Sequence, residues 1–80
     1  MPFAYILKSS KDRRFFYGST RNLETRLKDH NKGKVSSTRR RRPLILHYSE
    51  RCDNVQDARR RVLFFKSKKG FIWLKKQGII

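Results

Sequence analysis

The longest uninterrupted apolar run in the chain is Phe3-Ala4-Tyr5-Ile6-Leu7, and every other apolar stretch is shorter. A run of that length makes one short strand; a membrane-spanning helix needs about 20 such residues. A chain assembled from pieces this small must gather a single core from short strands and from the apolar stripes of amphipathic helices. With 80 residues it is expected to hold one domain, residues 1–80, with a modest core. Phe, Tyr and Trp make up 12% of the chain, enough bulky side chains to build that core, so this is not a disordered basic tail.

Charge narrows the function. Lys and Arg number 22 against 6 Asp and Glu, a formal net charge of +16. Self-repulsion on that scale opposes a compact state, and a polyanionic partner relieves it. Nucleic acid, an anionic membrane and an acidic protein are the three candidates. A membrane surface would want a basic helix with one clean apolar face, and no signal-peptide pattern opens the chain. Nucleic acid is therefore the expected partner. Cys52 is the only cysteine, which excludes an intrachain disulfide and a Cys-based zinc site, and it reads as a small apolar filler. A cytoplasmic or equally reducing location is the expectation.

Local patterns predict the order β-β-α-β-α-α, an α+β fold with a small three-stranded antiparallel sheet flanked by helices. Phe3 to Leu7 and Arg14 to Gly18 read as two strands joined by the polar loop Ser9 to Arg13. Asn22 reads as an N-cap with Glu24 in the first turn, where the helix dipole favours an acid. Leu23, Leu27 and His30 fall on one face of a helix over about residues 23–32, and Gly33 lies just past its end. The basic segment 34–43, with Arg39-Arg40-Arg41-Arg42, reads as a solvent-facing loop. Leu44 to Tyr48 alternates as a third strand. Asp53 or Asn54 caps a second helix with the stripe Val55, Ala58, Val62, Phe65. Ser67-Lys68-Lys69-Gly70 is expected to break it before a short last helix beginning at Phe71. Leu27, Leu46, Val62 and Phe65 are expected to be largely buried.

Several blocks together resemble the GIY-YIG nuclease superfamily, in particular its small single-domain bacterial type, similar to the N-terminal nuclease domain of the bacterial repair excinuclease. Phe3-Ala4-Tyr5 occupies the first motif and Phe16-Tyr17-Gly18 the second. The block from Gly18 through Arg26 to Asn31 follows, then Arg41-Arg42-Pro43-Leu44 with Tyr48, then Phe65-Lys66-Ser67 with Gly70 and Trp73-Leu74. The resemblance implies a metal-dependent endonuclease fold, in which tyrosines of both motifs lie near the scissile phosphate. An Arg steadies the developing charge, and a Glu on the next helix binds a divalent metal. Phosphodiester cleavage needs those functions: an activated water, a cation for the pentacovalent charge, and leaving-group stabilisation. Carried over residue by residue, Tyr5, Arg26 and His30 match. The second-motif tyrosine falls on Phe16, which has no hydroxyl, and the metal-binding Glu falls on Val62. Valine cannot ligate a hard cation, which needs oxygen. Asp57 lies about 140° around the helix from Val62 and is a poor substitute. Tyr17 faces away from Phe16 on the strand and cannot exchange duties with it.

Each of these residues also has a plainer role. Tyr5 and Phe16 read as core or rim aromatics, Val62 as core, His30 as packed and hydrogen-bonded, and Trp73 as an anchor for the last helix. Arg26 reads as one more phosphate-binding arginine. Arg21, Lys32 and Lys34 join it from the first helix and its flanks, and Arg39, Arg40, Arg41 and Arg42 from the loop. Arg59, Arg60, Lys68 and Lys69 complete the candidate nucleic-acid contacts. Arg59 to Arg61 span about 200° of helix surface, so at least one of them must point away from a shared face.

Two readings follow. One is a non-catalytic protein on a nuclease-like frame, holding structured RNA, with ribosomal RNA and neighbouring ribosomal proteins as the expected surroundings. Cations in every segment favour it, as does the recognition of A-form RNA largely by shape and phosphate. The other is a working DNA endonuclease with an atypical metal site, for which alone Mg2+ or Mn2+ would be needed. An accessory module that recruits a protein is a weaker third.

Overall fold

A computed structural model describes residues 1–80. Strands β1 (Phe3–Ser9) and β2 (Phe15–Thr20) form an antiparallel hairpin, followed by helix α1 (Leu23–Asn31) and a single 3-10 turn, Arg39–Arg41. Strand β3 (Leu44–Arg51) and helices α2 (Val55–Lys66) and α3 (Lys68–Lys76) complete the chain. The sheet order is β2-β1-β3, with both pairings antiparallel. This is the α+β fold that the sequence pattern leads one to expect.

The central place of β1 explains its composition. A strand covered on both faces loses the polar alternation of a half-exposed one and becomes a continuous apolar run. Ala4, Tyr5, Ile6 and Leu7 are accordingly all buried. Tyr5 and Leu7 pack with Leu44 on one side, where Phe16, Leu23 and Leu27 partly cover them. Ala4 and Ile6 pack on the other with Val62, Phe65 and Leu74, and Tyr17, Tyr48, Phe64 and Trp73 border that cluster. Phe16 and Tyr17 thus serve opposite faces of the sheet, as strand geometry requires. Phe65 is wholly buried at the middle of the larger cluster, and burying a side chain of its size stabilises by about 1.5–3 kcal/mol.

Both longer helices begin as their sequences indicate. The Asn22 and Asn54 side chains accept hydrogen bonds from Thr25 N–H and Asp57 N–H, at 3.0 and 2.8 Å. Gly33 takes a φ of +81° after α1, a conformation that glycine adopts without strain. Of the Arg59 to Arg61 run, Arg61 is the member turned inward. Its guanidinium forms a fork with Glu50, at 2.7 and 3.1 Å, and lies 4.5 Å from the Trp73 ring centroid.

Three expectations need correction. Leu46 is 37% exposed. The pairing of β1 with β3 shifts register between Ile6 and Leu7, so Leu46 faces Leu7 while Tyr48 faces Ile6. That bulge breaks the alternation, leaving Leu46 on the thinly covered α1 side and placing Tyr48 at the border of the larger core. Leu27 is only partly buried for the same reason: the nine-residue α1 is a narrow cover. The break between α2 and α3 is Ser67 alone. Extended at ψ 163°, it ends α2 and caps α3 through a bond from Gly70 N–H to its hydroxyl, so Lys68, Lys69 and Gly70 lie inside the last helix.

Candidate nucleic-acid interface

On the α1 side of the sheet, Tyr5 stands directly across from Gly18. A Cβ on residue 18 would come within 2.5 Å of the phenol oxygen and 3.1 Å of the Phe16 ring, so the glycine makes room for the tyrosine. His30, buried at the end of α1, completes this group. Its Nε2 is 3.2 Å from Tyr5 Oη, its Nδ1 is 2.7 Å from Thr38 Oγ1, and its ring centroid is 4.9 Å from that of Phe16. Thr38 donates its hydroxyl hydrogen to the Val35 carbonyl. One neutral tautomer then satisfies the chain: the phenol donates to Nε2, and Nδ1–H donates to the threonine oxygen.

Burial pushes the His30 pKa below its ordinary value, and the positive charge of Arg26 adds to that, against the opposing pull of Asp29. Burial likewise raises the Tyr5 phenol, and Arg26 works against that rise. Tyr5, Phe16, Arg26 and His30 therefore form one neighbourhood, with the histidine neutral and the phenol protonated near pH 7.

Stability follows from the sign of the histidine shift. The unfolded chain takes up a proton at about pH 6.5, before folded His30 does, so the native state loses stability as pH falls below that value. Urea denaturation should show this decline between pH 7 and 5, and the His30→Gln variant should be less stable but flat across the same range. A wild-type profile that is flat would contradict the buried neutral imidazole.

Val62 is not part of this group. It is 8% exposed and packs across the sheet against Ala4, Ile6, Phe65 and Leu74. Its outer edge lines a shallow cleft with Tyr17, Gly18, Ser19, Arg59, Leu63 and Lys66. A divalent cation does not fit these residues, since none carries a carboxylate, imidazole or thiol. Asp57 is engaged by Asn54 and Arg60, and Glu50 by Tyr48 and Arg61. Nowhere in the chain do three His, Cys, Asp or Glu side chains come together as a metal site.

The cations fall into separate sets. Arg39, Arg40 and Arg42 line an open cleft of about 630 Å³ together with Lys11, Asn31 and Pro43. Arg41 is held away from it, with Nε 3.1 Å from Asp12 Oδ2 and an Nη2 donating to the Phe15 carbonyl. It is a strut between loops, unlike its three neighbours in the run. Arg21 and Arg59 meet along the β2 edge beside Ser19 and Thr20. Lys34 and Arg60 lie beside Asp29 and Asp57, at 3.9 and 3.2 Å, while Lys32 caps α1 and Lys68 and Lys69 occupy the first turn of α3. Five of the 22 cationic side chains reach a carboxylate, and the rest form no ion pair within the chain.

Three contributors escape sequence reasoning. Lys11 reads as a hairpin-loop residue, and nothing local joins it to arginines some thirty positions later. Asn31 clamps β3 by accepting from Leu44 N–H at 2.7 Å and donating to its carbonyl at 2.9 Å. Thr38 sits wholly buried in a stretch of polar residues. A polar side chain so placed gives no hydrophobic-pattern signal.

No helix is long and apolar enough to cross a membrane. Residues 1–75 match the family described as the GIY-YIG catalytic domain. A UPF0213 protein of Bacillus licheniformis is 40% identical over 65 residues, covering 80% of this chain and 66% of the relative. One of Clostridium perfringens is 42% identical over 67 residues, covering 82% and 71%, and one of Staphylococcus haemolyticus is 40% identical over 60 residues, covering 74% and 72%. The chain thus spans about two thirds of the length of these relatives, or slightly more. No solved structure gives a significant match. Motif residues paired across one hairpin, the helix arginine beside them and the match over nearly the whole length lead to one conclusion: this chain belongs to the GIY-YIG family.

Proposed function

We propose that the protein binds nucleic acid without cutting it, and that its partner is structured RNA within a ribonucleoprotein particle, a ribosomal subunit first among them. Val62 carries this reading. An aliphatic side chain occupies the position that the family resemblance gives to a metal-binding carboxylate, and it is packed into the main core rather than left open to an ion. Phe16 adds to it, because a phenyl ring beside His30 can neither orient a water nor lose a proton. What remains is a frame with cations on several sides: the loop cleft, the β2 edge and the first turn of α3. A partner that surrounds the protein with phosphate suits that distribution better than a duplex meeting one face. Neighbouring ribosomal proteins would be secondary contacts, and the cytoplasm the setting.

A sucrose gradient of cell lysate, probed for the protein across a salt series, tests the RNA assignment. The protein should travel with a ribonucleoprotein particle at low salt, leave it steeply as salt rises, and be freed by RNase. Migration with DNA or as free protein, unaltered by RNase, would return the lead to a DNA partner.

A second reading, a metal-dependent DNA endonuclease, is supported by the intact Tyr5, Arg26 and His30 neighbourhood and by the family match itself. It would need Mg2+ or Mn2+ held by carboxylates other than those of the resemblance.

A further inference from the structure

We infer that the phosphate-gripping site is the cleft of Lys11, Arg39, Arg40 and Arg42, apart from the Tyr5–His30 face, and that it takes closely spaced phosphates of a folded nucleic-acid backbone. This rests on the nucleic-acid reading above and names the place where the backbone is held. The cleft is the largest on the molecule, and its six lining residues include four cations and no carboxylate. Like charges gathered this way repel one another, and a run of phosphates is the counter-charge that fits them. Guanidinium groups can each grip a phosphate through two parallel hydrogen bonds, and Lys11 adds a point charge from the hairpin tip.

The site is built before any ligand arrives. Buried Ser9 donates its hydroxyl to the Arg41 carbonyl at 2.6 Å and accepts from the backbone N–H groups of Lys11 and Asp12, both at 3.1 Å. Ser10 N–H donates to the Pro43 carbonyl at 2.9 Å, and the Arg41–Asp12 ion pair closes the same seam. These bonds fasten the tip of the β1–β2 hairpin to the arginine segment, which is what brings Lys11 into the same cleft as the arginines. On the other side, Thr38 anchors the start of the 3-10 turn on His30, and Asn31 pins Leu44 where β3 begins. The Arg42 Nε donates to the Arg39 carbonyl at 2.7 Å, which orients its guanidinium within the segment. Arg41 is spent on the seam, so four consecutive arginines supply three ligands and one strut.

The test is fluorescence anisotropy of a labelled RNA stem-loop and a DNA duplex of equal length, titrated with full-length protein across a potassium chloride series. Each phosphate contact contributes roughly 0.7 to 0.9 to the log–log salt slope, so the combined variant Lys11→Ala, Arg39→Ala, Arg40→Ala, Arg42→Ala should lose about 3. A charge-matched control, Arg14→Ala, Arg51→Ala, Lys75→Ala, Lys76→Ala, should lose much less. Should the combined variant melt early, Lys11→Ala and Arg40→Ala singly should each remove about one contact's slope. Tighter binding of the stem-loop than of the duplex at equal salt assigns the backbone to RNA, and the reverse to DNA; either supports the cleft. An unchanged slope in the cleft variants, or an equal loss in the control, overturns the cleft while nucleic-acid binding stands. Wild-type protein that binds neither probe overturns both.

Discussion

Replacing Gly70 by Ala is expected to destabilise the protein by roughly 3 kcal/mol, the upper part of the range for overpacking a tight interface. Helix propensity alone gives the opposite sign, because Ala is better than Gly in a helix interior by about 1 kcal/mol. The deciding contact is between helices. A Cβ on residue 70 would overlap the carbonyl of Phe64 and crowd the Cα of Phe65, both backbone atoms at the end of α2. Neither can swing aside as a side chain would. Moving them would disturb Phe65 and Leu74, both wholly buried in the larger core. For a domain of this size, thermal melting should register a drop of about 12–24 °C. An unchanged or raised midpoint would mean that α2 and α3 are not packed this closely.

The second large effect is expected at Val62. Val62→Glu places a carboxylate against Ala4, Ile6, Phe65 and Leu74, at a cost of about 3 kcal/mol when ionised. Arg59 and Lys66 at the rim of the adjoining cleft soften this without removing it. The sign with pH follows from burial. The folded-state pKa of the new acid is raised, so the deficit relative to wild type is full above that value and shrinks as pH falls through it. Paired denaturation curves at neutral and mildly acidic pH isolate the effect, because the His30 contribution is common to both proteins. Equal stability of variant and wild type at pH 7 would show that residue 62 is open to solvent.

The fold was legible wherever a local pattern had a local cause. Asn22 and Asn54 cap the next residues in sequence, the Val55, Ala58, Val62, Phe65 stripe follows from helix geometry, and β1 is apolar because it lies in the middle of the sheet. What escaped depends on partners distant in sequence. The bulge that leaves Leu46 exposed arises in the pairing of β1 with β3, not in β3 itself. Gly70 looked like a helix breaker because glycine disfavours helices, whereas Ser67 makes the break and Gly70 permits close packing. Tyr5, Arg26 and His30 lie together on one side of the sheet, while Val62 joins the core on the other. The basic loop was readable as a cluster of cations, but not which of its arginines pair within the chain. Asp12, which pairs with Arg41, and Lys11, which lines the cleft with the other three arginines, both lie in the distant β1–β2 turn.

Binding and cutting can be read in one incubation. Purified full-length protein is mixed with end-labelled RNA stem-loop, duplex DNA and branched DNA in magnesium or manganese. Anisotropy is followed to saturation, and each sample is then run on a denaturing gel. Saturable, salt-sensitive binding with full-length strands recovered is the result expected if, as the resemblance implies, Val62 stands where the family has its metal ligand and Phe16 where it has a tyrosine. Metal-dependent cleavage products that disappear in Arg26→Ala would contradict it.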